Sequence, residues 1–361
     1  MQFIRTTAII ILIKLNTFSA VYSQRPSRID NDKVFNASRF GHGYITLSYK
    51  GEYLLQLQSF KDIAVIDARP DTFAIGFRKR DIEIRKKLLR FEKGLSHQLS
   101  GYLRNNSLLS KDTNACSLII VVRDLWLKEY DVDENENDNI QSDPSDEINF
   151  RKSYIRLGFD CYLHKNDAYY AIFRFDTLVS KFHNLPAFSD KYIEYTLTMG
   201  LIKAENLNTD SIAAKKRKFS LEEMNAYYKK RWDIPILAET SLRKGVYTNF
   251  EEFKTNQPSI TNFELKKGKL ADVLFADGKP MRNAWGYCDG DMIFIKTGEN
   301  YYPLILQEHS FYFLGSTELN RTKGHYDNNN PSGYHSNIYM QTRFKNVLLP
   351  MKLNWQTGKP Y

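Results

Sequence analysis

Ile155, Leu157, Phe159, Cys161 and Leu163 alternate with Tyr154, Arg156, Gly158, Asp160 and Tyr162. A repeat of two puts every second side chain on one face, so this stretch reads as a half-buried antiparallel strand. The turn His164-Lys165-Asn166-Asp167 follows, and Tyr169, Ala171, Phe173 and Phe175 supply a matching apolar face on the return. The two segments predict a hairpin with one side on a core, which excludes an all-helical chain. Upstream, CSLIIVVRDLWL begins at Cys116 and holds five consecutive apolar residues at 118–122. Such a run suits a strand covered on both faces, so the sheet needs further layers.

The rest of the chain provides them. YITLSY, the turn Lys50-Gly51, EYLLQLQ and DIAVID read as strand, turn, strand, strand. Ile84, Leu88, Leu95, Leu99 and Tyr102 then recur at helical steps, with Gly94 as a weak point in the middle. After Pro186, Phe188, Tyr192, Tyr195, Met199 and Ile202 predict a second helix, and this stripe reads as the face that covers the sheet. Residues 208–218 read as a linker ending in Lys215-Lys216-Arg217-Lys218, and Ser220 with Glu223 forms a capping box that starts a connector helix. Phe219 and Met224 can close a hydrophobic staple across it. From about Thr240 the pattern is mostly β, with one short helix capped by Thr248 or Asn249 and stopped near Pro258. Asp289-Gly290 predicts a two-residue turn that sets Tyr287 opposite Met292 and Trp285 opposite Phe294, all on one side of a ribbon. YYPLIL and SFYFLGS add two strands, and residues 320–333 read as a loop. The expected class is α+β: a helix-covered antiparallel or mixed sheet domain at 24–206, a linker and helix at 207–239, and a smaller β-rich domain at 240–361.

The first 23 residues stand apart. Arg5 precedes an apolar run at 8–13, and small residues at 20–23 lead to Gln24, the layout of a cleaved secretory signal interrupted by Lys14. Elsewhere there is no apolar stretch long enough to span a bilayer, so no transmembrane segment is expected in the mature chain. Loss of Arg5 and Lys14 with the signal lowers the formal charge from +9 to +7. That excess favours an anionic surface component as partner, and export argues against nucleic acid. Export also permits disulfides. With Cys116, Cys161 and Cys288 only one bridge can form, and Cys116–Cys161 is the pairing that two core strands allow.

Few residues point to chemistry. Asp67, Arg69 and Asp71 gather charge at the end of an apparent core strand, a place where α/β sheets bind ligands. The same trio also reads as an arginine held between two carboxylates. Residues 131–147 carry eight acidic side chains and no basic one, which predicts a solvated loop. Asp131, Asp133 and Asn135 open it like a calcium loop, yet Glu136 and Ser142 occupy positions that need Gly and Glu. The seven histidines are scattered, with His325 and His335 near Asp327. Nucleophile elbows, phosphate-cradling glycine loops and zinc-type clusters are absent, so no catalytic residue, metal or cofactor is assigned. Trp285 and Tyr287 are candidates for an exposed contact surface, with core packing as the alternative.

Lys244-Gly245-Val246-Tyr247, Phe250-Glu251-Glu252-Phe253, Pro258-Ser259-Ile260 and Trp285-Gly286-Tyr287-Cys288-Asp289-Gly290 together resemble a recurring unit in exported proteins of Bacteroidota-type bacteria. The likeness spans about residues 243–315, roughly a fifth of the chain. It implies an envelope or periplasmic location and supplies no catalytic residues. Val65-Ile66-Asp67-Ala68-Arg69-Pro70-Asp71 followed by Ile75-Gly76 is similar to small outer-membrane lipoproteins, although this chain lacks their lipidated cysteine. The expectation is an exported envelope protein that binds a protein or surface component without catalysis. The rival expectation is a secreted hydrolase or glycan-active enzyme with an inter-domain site, for which Asp67, Asp71 and a histidine would share one cleft.

Overall fold

The computed structural model describes residues 34–47, 54–79, 86–131, 151–181, 185–239, 241–268, 272–315 and 348–360. The signal-like segment, the turn Lys50-Gly51, most of the acidic stretch, and His325 and His335 lie outside them. Helices and strands are both abundant, and the class is compatible with α+β.

The alternating segments form β8 (Arg151–Lys165) and β9 (Ala168–Lys181), paired antiparallel through a two-residue turn at Asn166 and Asp167. Both turn residues have positive φ, 51° and 55°, which Asn and Asp tolerate best among residues with a side chain. β7 (Cys116–Asp131) pairs with β8 along its whole length. Its other edge is shared. The first half takes β3 (Phe60–Asp67) in parallel, and Leu127 and Lys128 take β4 (Gly76–Lys79). β5 (Lys86–Phe91) follows β4 antiparallel, β1 (Gly41–Ile45) joins β5 in parallel, and β10 (Lys218–Phe219) touches the far edge at Tyr169 and Tyr170. β2 (Leu55–Leu57) and β6 (Ser107–Leu109) form a separate parallel pair.

One face of this large sheet carries α1 (Leu95–Asn105) and α2 (Leu185–Glu205). Leu95, Leu99 and Leu103 of α1 and Ile193, Leu197, Leu201 and Ala204 of α2 share a core with Leu118, Ile120, Ile155, Leu157 and Phe159. Each fully buried Leu or Ile contributes roughly 1.5–3 kcal/mol. Two expectations are corrected here. Leu88 lies in β5, not in α1, because the positive φ of Gly94 (78°) breaks the chain and starts the helix at Leu95. The stripe read as the covering face of α2 holds only in part: Tyr192 packs against the core, while Tyr195, Met199 and Ile202 are exposed. α2 is apolar on nearly every side, and Gly200 lets the opposite face approach Phe159, where a Cβ would lie 2.6 Å from the ring.

The other face of the sheet is covered in two parts. Met224 and Tyr228 of α4 (Leu221–Lys229) pack on Ile119, Val121 and Tyr162. Ser220 and Glu223 complete the expected capping box. Between α2 and α4, the residues read as a linker contain α3 (Thr209–Lys215), capped by the Asn208 side chain. Further along, Phe77, Leu88 and Trp126 join a core with Tyr247, Phe253, Phe311, Tyr312 and Phe313 from the second half.

That half holds short helices α5 (Pro235–Ala238) and α6 (Phe250–Lys254), the latter capped by Asn249. Its main sheet is antiparallel, in the order β11 (Gly245–Tyr247), β15 (Gly286–Cys288), β16 (Ile293–Thr297), β17 (Asn300–Gln307), β18 (Ser310–Gly315) and β19 (Leu349–Lys352). β12 (Glu264–Lys266), β13 (Val273–Ala276) and β14 (Lys279–Met281) form a second, smaller sheet. The hairpin at Asp289-Gly290 is longer than expected: Tyr287 pairs with Phe294 and Cys288 with Ile293. The Asp289 carboxylate accepts the Asp291 and Met292 amides and so widens the turn, shifting the register by two residues.

The three cysteines are free and buried. Cys161 lies opposite Ile120, four residues along β7 from Cys116. At about 3.3 Å per residue that separation is far beyond the reach of a disulfide.

Candidate functional site

Asp67 ends β3, whose free edge is closed by a helix instead of a strand. Its backbone N–H donates to the Ser96 hydroxyl at 2.9 Å, and that of Val65 donates to Ser100 at 2.9 Å. Ser96 and Ser100 sit one turn apart on α1, so the helix meets the spacing of alternate strand amides.

Arg69 folds back on Asp67 in a bidentate pair, with Nε 2.8 Å and Nη2 2.7 Å from the two carboxylate oxygens. A third donor reaches the Ala74 carbonyl at 3.2 Å. Burial works against the Arg69 charge, but Asp67 and Asp71 outweigh it and hold its pKa above the ordinary value.

Asp71 points elsewhere. Its side chain is wholly buried against Lys352 of β19, with Nζ 2.6 Å from Oδ2, and Tyr312 donates to Oδ1 at 3.1 Å. The Lys352 ammonium lies 5.3 Å from the Trp126 ring centre. Burial alone would raise the Asp71 pKa; Lys352 and Arg69 reverse that and hold it below the usual carboxylate value. Thr72 completes the junction, its amide donating to Glu308 at 2.7 Å. Asp67 and Asp71 therefore do not form an acid–base pair: one is locked by arginine, the other sealed under the second sheet.

Beside this turn lies a cleft of about 480 Å³, lined among others by Asp67, Arg69, Arg90, Lys93, His97 and Glu308. Asp67 and a histidine share it, while Asp71 does not line it. Arg90 stands over the Phe73 ring at 4.5 Å, and its Nε is buried without a hydrogen-bond partner. The first turn of α1 borders the same space, and its N-cap is Gly94, which has no side chain to cap it. Uncapped amides at a helix start carry partial positive charge. Arg69 is committed to Asp67 and Glu308 to Thr72, which leaves Arg90 and Lys93 as the cations the cleft can offer. The sequence held no signal for Arg90 or Lys93, which fell within an apparent helix.

A second polar cluster lies on the opposite face. Arg123 is an extra residue in β7, between Val122 opposite Phe159 and Asp124 opposite Gly158. This bulge turns a buried guanidinium toward Asp160 (2.9 Å) and Asp176 (2.7 Å). Arg174 also reaches Asp160 at 2.9 Å, as does Tyr228 at 2.6 Å. Gly158 makes room for it; a Cβ there would lie 2.7 Å from the Asp176 carboxylate. An arginine directly after five apolar residues was the visible clue.

Trp285 and Tyr287 do not form an exposed surface. Tyr287 is 5% exposed and stacks on Phe294 at 4.6 Å. Trp285 packs in a different cluster, 4.4 Å from Phe253, and donates to the Gly358 carbonyl. Among the described residues no group of three His, Cys, Asp or Glu side chains could hold a metal ion. No described helix is long and apolar enough to cross a membrane. Comparisons of the chain with protein-family models, curated proteins and solved structures give no match.

Proposed function

We propose that this chain is an exported, envelope-associated binding protein that takes an anionic group without transforming it. The arrangement that carries the reading is the Arg90 guanidinium, with Lys93, set beside the uncapped start of α1 in the cleft. A phosphate, sulfate or carboxylate there would meet a guanidinium fork and helix amides together. The basic excess of the chain acts in the same direction by concentrating anionic partners. Export rests on the basic, apolar and small-residue order of the first 23 residues.

Calorimetric titration with inorganic phosphate, sulfate and acetate tests the site. Saturable binding that Arg90→Gln weakens at least tenfold is the expected result, since a charge-assisted hydrogen bond contributes about 1.5–3 kcal/mol. Absence of saturable binding, or binding indifferent to Arg90→Gln, defeats the reading. Export is tested by N-terminal sequencing of the protein from cell fractions. A mature chain beginning at Gln24 outside the cytoplasm is expected, and an intact Met1 in the cytosol would refute it.

A further inference from the structure

The large sheet is almost open along one side. β10 covers Tyr169 and Tyr170 of β9, and among the described residues no strand pairs with the outer edge of residues 171–181. An open edge presents unpaired N–H and C=O groups that another strand can satisfy. Along it, exposed Arg174, Asp176, Leu178 and Ser180 alternate with half-buried Phe173, Phe175, Thr177 and Val179. Leu178 is 65% exposed, the largest exposure among the large apolar side chains of the described residues. Arg174 and Asp176 are each anchored from within, by Asp160 and Arg123, yet their side chains remain 48% and 58% exposed.

We propose that β9 is the seam of a homodimer, in which two copies join antiparallel about a two-fold axis through Phe175. Residues directly opposite in an antiparallel pair share a face of the sheet. Centring on Phe175 sets Arg174 of one copy opposite Asp176 of the other, twice over. The charge row Asp160–Arg174 then runs on into Asp176–Arg123 of the second copy, alternating in sign across the seam. Centring on Asp176 would oppose two like charges, which is unfavourable. Centring on Thr177 sets Arg174 against Ser180 and Asp176 against Leu178, with no charge pair. The complementarity selects the Phe175 register, and an identical edge satisfies it from both sides, as an isologous interface requires. Met199 of α2 lies on the helix row of Tyr192, which hydrogen-bonds Thr177, and Lys203, which sits over Phe173. It is 42% exposed and brings apolar surface to the same flank.

Light scattering and sedimentation equilibrium of the purified full chain, over micromolar to submillimolar concentrations, test the seam. A mass twice that of the single chain is expected. Leu178→Lys, at a side chain without an internal role, should weaken the dimer at least tenfold with circular dichroism unchanged. Arg174→Glu and Asp176→Lys should each give monomers alone and a heterodimer when mixed, because mixing restores opposite charges at both positions. Should either charge variant fail to fold, Leu178→Lys decides alone. A chain monomeric throughout, including one that instead binds an extended peptide, overturns the proposal. So does a dimer that Leu178→Lys leaves intact, or folded charge variants that do not recombine.

Discussion

Lys352→Met removes the cation that faces Asp71 while keeping most of the side-chain length under Trp126 and Tyr312. The ion pair is closed from solvent, with side-chain exposures of 2% and 0% and a separation of 2.6 Å. At an effective dielectric of about 20, charges this close attract by about 6 kcal/mol. Part of that attraction offsets the desolvation of both groups, so the net cost of losing one partner is about 3–5 kcal/mol. Urea unfolding followed by circular dichroism and tryptophan fluorescence measures it. The variant should lose that amount at pH 7, and Asp71→Asn/Lys352→Met should recover more than half of it, because no buried charge is then left alone. The effect also has a pH signature. In the wild type the Asp71 pKa is depressed on folding, so its contribution is complete above the unfolded value and fades as pH falls through the lowered one. In Lys352→Met the burial that raises the pKa is no longer offset by lysine. With only Arg69 and Ser310 left to oppose burial, the Asp71 pKa of the folded variant lies above the wild-type value, so the variant loses less stability on acidification and the gap to wild type narrows in acid. A loss under about 1 kcal/mol at pH 7, or a gap unchanged between neutral pH and acid, would refute this reasoning.

Three further outcomes are expected. Gly76→Ala should cost more than about 2 kcal/mol by the same unfolding assay, because Gly76 has φ +150° and a Cβ there would lie 2.0 Å from the Leu127 carbonyl oxygen. The native thiols should resist a disulfide reagent and react rapidly in denaturant, since all three are buried and burial pushes Cys288 up to about 11 and Cys161 further still; fast native labelling would contradict the packing. Ser220→Ala should cost about 1 kcal/mol through loss of the α4 cap, measured by thermal or urea unfolding.

The hairpin of β8 and β9 was legible because a repeat of two with Asn-Asp at the turn is local information. The same holds for the Ser220 capping box and the Asn249 cap. The orientation of α2 was not legible, since an apolar helix offers several plausible stripes and Phe159 against Gly200 decides among them. Asp67, Arg69 and Asp71 were visible as a charged turn, but of the two carboxylates expected to hold the arginine only Asp67 pairs with it. The fate of Asp71 depended on Lys352, distant in sequence and in a strand that short-range patterns did not mark. Trp285 and Tyr287 divide between two clusters because Trp285 precedes β15, which begins at Gly286, and so escapes the alternation that fixes Tyr287.

The two serine hydroxyls that finish the free edge of β3 also fix α1 against rotation. Turning the helix by one residue would strand the amides of Val65 and Asp67 in the interior, at about 1–3 kcal/mol each. Ser96 belongs to the first turn of α1, so whatever grips that turn stands a single hydroxyl away from the edge of β3. Deuterium uptake at the Asp67 amide is thus a gauge of events at the mouth of the cleft.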